Sequence, residues 1–128
     1  VVALVIDDDE TVIAGMRVLL EGWGMRVVAG VSEQAGLAEL VAAGLTPELL
    51  ITDLHLGEGV SGFEVTRSLR RRFGATIPAI LITGSVGPEH AGRARAEDLH
   101  FLLKPVNPAK LRTLIHYKLK QESAATAV

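Results

Sequence analysis

Three acids and one lysine stand directly after short apolar runs. Asp7-Asp8 follows Val1–Ile6, Asp53 follows Leu49-Leu50-Ile51-Thr52, and Lys104 follows Phe101-Leu102-Leu103. A further run, Ala79–Ile82, ends in the hydroxyl of Thr83. Carboxylates brought together repel, and removing water sharpens the repulsion. A cluster of three therefore needs a cation. Hard oxygen ligands without His or Cys favour Mg²⁺ over zinc. Mg²⁺ keeps several waters and takes one or two carboxylates, which leaves room for a phosphate oxygen. Lys104 adds a second positive charge and Thr83 a hydrogen-bond donor. That set suits a phosphoryl group, whose charge spreads over three oxygens and whose transfer depends on positioning and neutralisation. An aspartate can itself be the phosphoryl nucleophile. Asp53 is the candidate acceptor because it stands alone on its run, whereas the neighbours Asp7 and Asp8 make better metal anchors.

These side chains meet only if the runs are strands whose ends share one edge. Short apolar β-branched runs read as buried strands. Val1–Ile6, Met25–Ala29, Leu49–Thr52, Ala79–Ile82 and Phe101–Leu103 fit that description. Helical spacing fills the intervals. Glu10–Leu20 carries Val12, Ile13, Met16, Leu19 and Leu20, with Asp9 as N-cap and Gly22 and Gly24 ending the helix around Trp23. Ser32 caps a helix with Ala35, Leu37, Leu40 and Val41 inside, closed by Gly44 and Pro47. Gly57–Gly62 reads as loop and Phe63–Phe73 as helix. Gly84–Gly92 reads as loop passing into a weak helix that runs to about Asp98. Asn107-Pro108 is an N-cap followed by Pro at the first helical position, opening a last helix with Leu111, Leu114, Ile115 and Leu119. Residues 123–128 read as a frayed, disordered tail. Five strands alternating with five helices imply a parallel sheet with right-handed crossovers, and open α/β sheets place ligands at the strand C-termini.

Composition fits a folded globular domain and bounds its function. The chain has 128 residues, 48 % hydrophobic, with 13 Lys+Arg against 15 Asp+Glu for a net charge of −2. No strong field draws it to nucleic acid or to an anionic membrane, so no direct contact with either is expected. Arg70-Arg71-Arg72 reads as a solvated helix face. The absence of cysteine excludes disulfides and thiol chemistry. No apolar run is long enough to cross a bilayer, and a cytoplasmic location is expected. The strand starts at once from Val1, so the chain is expected to be a piece of a longer protein.

With these residues in register, the chain resembles a response-regulator receiver domain over residues 1–122. Asp7-Asp8 matches the acidic pair, Asp53 the phospho-accepting aspartate, Thr83 the switch hydroxyl, and Lys104-Pro105 the lysine with its proline. Thirty residues separate Asp53 from Thr83 and twenty-one separate Thr83 from Lys104, the family's spacing within one residue. The resemblance implies a flavodoxin-like (βα)5 three-layer sandwich with strand order 2-1-3-4-5. It implies Mg²⁺, with Mn²⁺ as an alternative, held directly by Asp8 and Asp53, through water by Asp7, and by the backbone carbonyl of His55. It implies a cis bond before Pro105. The partner is then the phosphohistidine of a histidine kinase or phosphotransfer domain. The domain catalyses its own phosphorylation and dephosphorylation without external turnover. Thr83 is drawn toward the phosphoryl group, Phe101 turns inward, and the face of the fourth helix, fifth strand and fifth helix changes partner affinity or forms a homodimer. Phe101 stands where the family more often has Tyr, and plain core filling explains it equally well. The loop after Asp53 has Leu56-Gly57 in place of the usual Met-Pro and runs one residue longer.

Ile82-Thr83-Gly84 and Lys104–Ala109 are similar to receivers at the C-terminal end of hybrid sensor histidine kinases. A DNA-binding response regulator is the alternative parent. Three other readings compete. Asp7-x-Asp9-x-Thr11 fits the haloacid-dehalogenase-like phosphatases, with Asp7 as nucleophile and Asp9 as acid/base, but no acidic pair follows a later strand. Gly57-x-Gly59-x-x-Gly62 matches a dinucleotide fingerprint in the wrong place, after the third strand, where Asp53 and Glu58 would repel a pyrophosphate. A degenerate receiver would bind a partner without phosphorylation. His90, His100 and His116 lack metal-ligand spacing and read as surface or boundary residues.

Overall fold

A computed structural model describes residues 1–126, with side chains described through residue 120. The five apolar runs are the strands β1 (Val2–Ile6), β2 (Arg26–Gly30), β3 (Leu49–Asp53), β4 (Ala79–Thr83) and β5 (His100–Leu103). The helices are α1 (Glu10–Gly22), α2 (Glu33–Ala43), α3 (Gly62–Phe73), α4 (Pro88–Ala96) and α5 (Pro108–Thr126). All pairings are parallel, in the order β2-β1-β3-β4-β5. The result is the expected flavodoxin-like doubly wound α/β fold.

Strand periodicity of two divides the core into layers. Leu4, Ile6, Val28, Leu50 and Leu81 face Leu40 of α2, Phe63, Val65 and Leu69 of α3, and Ala94 of α4. Ala3, Val5, Val27, Ile51, Ile80 and Ile82 face Met16 and Leu20 of α1 and Leu111 and Ile115 of α5. β3 and β4 are buried at every position, which is why their sequences show no alternation. This rigid centre carries Asp53 and Thr83 at its tips.

The expected caps are present. Asp9 accepts the Thr11 N–H at 2.9 Å, Ser32 the Ala35 N–H at 3.1 Å, and Asn107 the Lys110 N–H at 3.1 Å. A fourth cap was not foreseen: Ser61 accepts the Phe63 N–H at 3.2 Å and starts α3 one residue early.

Three expectations change. Val41 is 79 % exposed. Helical phase turns Gly36 and Leu40 toward the sheet, and the next residue rotates away from it. The tail expected from residue 123 continues α5 to Thr126, as the strong helix formers Ala124 and Ala125 allow; residues 127 and 128 lie outside the described residues. The arginine run is not uniformly solvated. Arg70 donates from Nε to the Ile77 carbonyl at 2.9 Å, from Nη1 to that of Glu97, and from Nη2 to that of Asp98 at 3.0 Å. It ties α3 to the turn between α4 and β5, while Arg71 and Arg72 are exposed.

β2 is an edge strand with two of its outward backbone groups covered. Arg17 of α1 donates to the Val27 carbonyl at 3.0 Å, and Glu39 of α2 accepts the Ala29 N–H at 3.4 Å. The two side chains pair at 3.3 Å, closing over the edge from both layers.

At the other edge, His100 stands edge-on to Tyr117 at 5.9 Å, and its Nδ1 is buried without a hydrogen-bond partner. Burial pushes the imidazole below its ordinary value of 6.5, Lys118 adds to this, and Asp98 partly opposes it. The folded state therefore favours the neutral ring. Stability is full above the unfolded value of about 6.5 and falls as pH drops through it, because the unfolded chain takes up the proton more readily. His100→Phe is expected to lose less stability than wild type in urea melts between pH 7.5 and 5.5. Equal losses would contradict this assignment.

Candidate functional site

The C-terminal ends of β1, β3 and β5 bring the acids and the lysine together. Asp7 is 2 % exposed and Asp53 6 %, while Asp8 is exposed. One carboxylate oxygen from each of Asp7, Asp8 and Asp53 lies within 4.8 Å of the others. Lys104 Nζ is 3.1 Å from Asp53 Oδ2. The Lys104–Pro105 peptide is cis, as the resemblance implies.

The two buried carboxylates are each aimed by the backbone N–H two residues on. Asp7 Oδ1 accepts the Asp9 N–H at 2.9 Å, and Asp53 Oδ1 accepts the His55 N–H at 3.2 Å. Burial drives the Asp7 carboxyl above its usual value; the Asp9 N–H opposes this, and the charge of Asp53 adds to the rise. Burial lowers the Lys104 ammonium, but its hydrogen bond to Asp53 and the charges of Asp53, Asp7 and Asp8 outweigh that and hold it above its usual value. Two like charges near 4.8 Å repel by roughly 3 kcal/mol at an effective dielectric of 20. One lysine against three acids leaves an excess that a divalent cation matches.

The donor set fits Mg²⁺: carboxylate oxygens, no imidazole or thiolate, and an exposed Asp8 on which coordinated water can remain. The His55 carbonyl fits as well. His55 and Ser61 form an antiparallel bridge, closed by Gly62 N–H to Leu54 O at 2.8 Å and Leu56 N–H to Val60 O at 3.1 Å. The bonds belong to the flanking residues, so the polar groups of His55 point out of this small hairpin. Its N–H meets Asp53, and its carbonyl shares that side of the strand. The His55 side chain is exposed.

Thr83 is 1 % exposed at the tip of β4. Its hydroxyl donates to the Ser85 carbonyl at 3.0 Å, a partner the sequence did not disclose. Phe101 is not at the acidic pocket. It is half-buried, edge-on to Phe63 at 5.9 Å and tilted against His90 of α4 at 6.4 Å.

The glycine pattern 57-59-62 serves packing and turning. Gly57, Glu58 and Gly59 all have positive φ, at 76°, 49° and 76°, and form the hairpin tip. Gly62 abuts the end of β3. A Cβ there would collide with the Asp53 carbonyl oxygen and stand 3.0 Å from Leu54 Cα and 3.1 Å from Leu81 Cδ2. Gly62→Ala is expected to lower the unfolding free energy by roughly 2–3 kcal/mol, the scale of a forced overpacking. An unchanged urea midpoint would refute the close approach.

Fold and pocket together define a doubly wound α/β domain with an acid-lined pocket at its strand C-termini. The response regulator receiver domain model matches residues 3–116, and the chain belongs to that family. It is 34 % identical over 127 residues to the KDP operon transcriptional regulatory protein KdpE of Escherichia coli (strain K12), covering 97 % of this chain and 53 % of the relative. It is 25 % identical over 122 residues to the phyllosphere-induced regulator PhyR of Methylorubrum extorquens, covering 95 % and 45 %. The chain thus spans about half the length of the curated relatives it matches. Among solved structures, a response regulator receiver domain protein from Clostridium thermocellum superposes with a TM-score of 0.83 at 26 % identity, covering 97 % of this chain and 98 % of that one. The chemotaxis protein CheY4 of Vibrio cholerae shares the fold, with a TM-score of 0.77 at 22 % identity over 91 % and 96 %.

This membership replaces the phosphatase reading. The Asp9 carboxylate caps α1. Receiver domains take phosphoryl groups from histidine kinases or phosphotransfer proteins and bind Mg²⁺ through an acidic cluster. Among the described residues, no helix is long and apolar enough to cross a membrane.

Proposed function

We propose that Asp53 is the phosphoryl acceptor of a two-component or phosphorelay signalling protein. The observation that carries this reading is the contact of Lys104 Nζ with Asp53 Oδ2 at 3.1 Å, beside Asp7 and Asp8. A carboxylate oxygen of Asp53 attacks the phosphorus of a partner phosphohistidine. The P–N bond breaks, the imidazole leaves with the electron pair, and an acyl phosphate forms. Lys104 moves its charge from the carboxylate to the phosphoryl oxygens. The Thr83 hydroxyl exchanges the Ser85 carbonyl for one of those oxygens, pulling the loop that leads into α4. Asp8 and Asp53 would hold Mg²⁺ directly, Asp7 through water, and His55 by its carbonyl, with Mn²⁺ as a substitute. The bound ion supplies charge neutralisation at the transferring oxygens.

Phe101 packs against both α3 and α4, so it is placed to pass the change to the α4-β5-α5 face. Leu103 and Tyr117 are exposed on β5 and α5, at 55 % and 51 %, and support a homodimer through that face. Relatives that are a transcriptional regulatory protein and a regulator, each about twice this chain's length, favour a response-regulator parent over a hybrid kinase. The test is intact mass after incubation with acetyl phosphate and Mg²⁺. The expected result is a Mg²⁺-dependent gain of one phosphoryl group. No gain in any condition would leave a receiver that works without phosphorylation.

A further inference from the structure

The hairpin tip at residues 57–59 approaches the metal-binding acids at one point. A Cβ built on Gly57 would stand 3.4 Å from Asp8 Oδ2. A Cβ on Gly59, which has the same positive φ of 76°, would meet nothing within 4 Å. The two glycines therefore differ in surroundings and not in backbone demand. Leu56 N–H to Val60 O at 3.1 Å and Val60 N–H to Gly57 O at 2.9 Å hold the tip shut, and Gly62 N–H to Leu54 O at 2.8 Å anchors the hairpin beside the end of β3. Asp8 is the exposed member of the acid cluster, so its carboxylate is the one best placed to share a bound ion with water.

Mg²⁺ dehydrates reluctantly and keeps several of its waters. A carboxylate that binds such an ion needs open volume beside it for those waters. The missing side chain at residue 57 supplies that volume. A methyl group there would lie in van der Waals contact with Asp8 Oδ2, strip water from it and crowd a hydrated ion. We propose that Gly57 is a positioning residue for the cation site, setting divalent-ion affinity by keeping Asp8 Oδ2 open. The inference rests on the reading of Asp7, Asp8 and Asp53 as a divalent-cation site. It goes beyond that reading by assigning affinity to a residue with no donor atom of its own at the ion.

The experiment is a Mn²⁺ titration of wild type, Gly57→Ala and Gly59→Ala, followed by water-proton relaxation, with Mg²⁺ added to displace the bound Mn²⁺. Neither reading requires phosphorylation. Far-ultraviolet circular dichroism checks that the variants are folded. The expected result is about tenfold weaker binding for Gly57→Ala, the lower end of effects seen when groups next to metal ligands are changed, with Gly59→Ala close to wild type. Equal weakening in both variants overturns the proposal, since hairpin strain would then be the cause. Unchanged affinity in Gly57→Ala overturns it as well. A wild type that binds no Mn²⁺ fails differently: it removes the cation site itself.

Discussion

An Asp53→Asn variant incubated with acetyl phosphate and Mg²⁺ is expected to gain no phosphoryl mass while the wild type gains one. The amide has the shape of the carboxylate but lacks the nucleophilic oxygen charge. It can still accept the His55 N–H at its carbonyl oxygen, so the strand tip keeps its local support. Removing one of three mutually repelling acids also relaxes the pocket in the absence of metal. The variant should therefore fold at least as well as wild type, and loss of labelling will report chemistry. Mg²⁺-dependent labelling that persists in Asp53→Asn would move the acceptor elsewhere. Labelling lost in Asp7→Asn instead, with continuous phosphate release, would revive hydrolysis at Asp7.

Lys104→Ala is expected to separate phosphorylation from its structural consequence. The Lys104 side chain is 41 % exposed, and ion pairs this exposed contribute little to folding. Its role lies in charge placement. Losing one preorganised group at the transferring oxygens should slow labelling by acetyl phosphate on the order of 100-fold. The phosphorylated fraction that still forms should leave the β4–α4 loop and α4 unchanged in hydrogen–deuterium exchange, whereas wild type changes there. The loop is built to respond. α4 begins at Gly87 with no side-chain cap, while its far end is tied by Arg70 and by the Arg93–Glu97 pair at 2.6 Å. An exchange response equal to that of wild type would show that Lys104 is dispensable for the switch.

Much of this architecture is legible in the sequence because its strongest signals are local. Asp9, Ser32 and Asn107 cap because their side chains reach amides two or three residues on, a distance fixed by the chain itself. The strands read plainly because β3 and β4 are buried on both sides, leaving unbroken apolar runs. The acids and Lys104 come together by topology alone, since parallel strands end at one edge. What stayed hidden depends on contacts between distant segments. Arg70 looks like one of three surface arginines until the carbonyls of Glu97 and Asp98 are placed beside it. Val41 looks like core until the phase of α2 is set by Gly36 against the sheet. Gly57 is one glycine among 13, and only the fold of the hairpin puts it next to Asp8. The one signal available for it was the extra residue in that loop, which announced a changed turn without saying what the turn touches.

The Arg17–Glu39 bridge over β2 has a consequence for assembly. An uncovered edge strand invites another chain to continue the sheet, and a sheet open at both edges can grow without limit. Here the β2 side is partly covered by Arg17 of α1 and Glu39 of α2, which occupy the Val27 carbonyl and the Ala29 amide. A contact between two copies along β5 would use the same surface twice. Such a contact is two-fold symmetric and closes on itself. Continuation of the sheet through the β2 edge is thereby disfavoured.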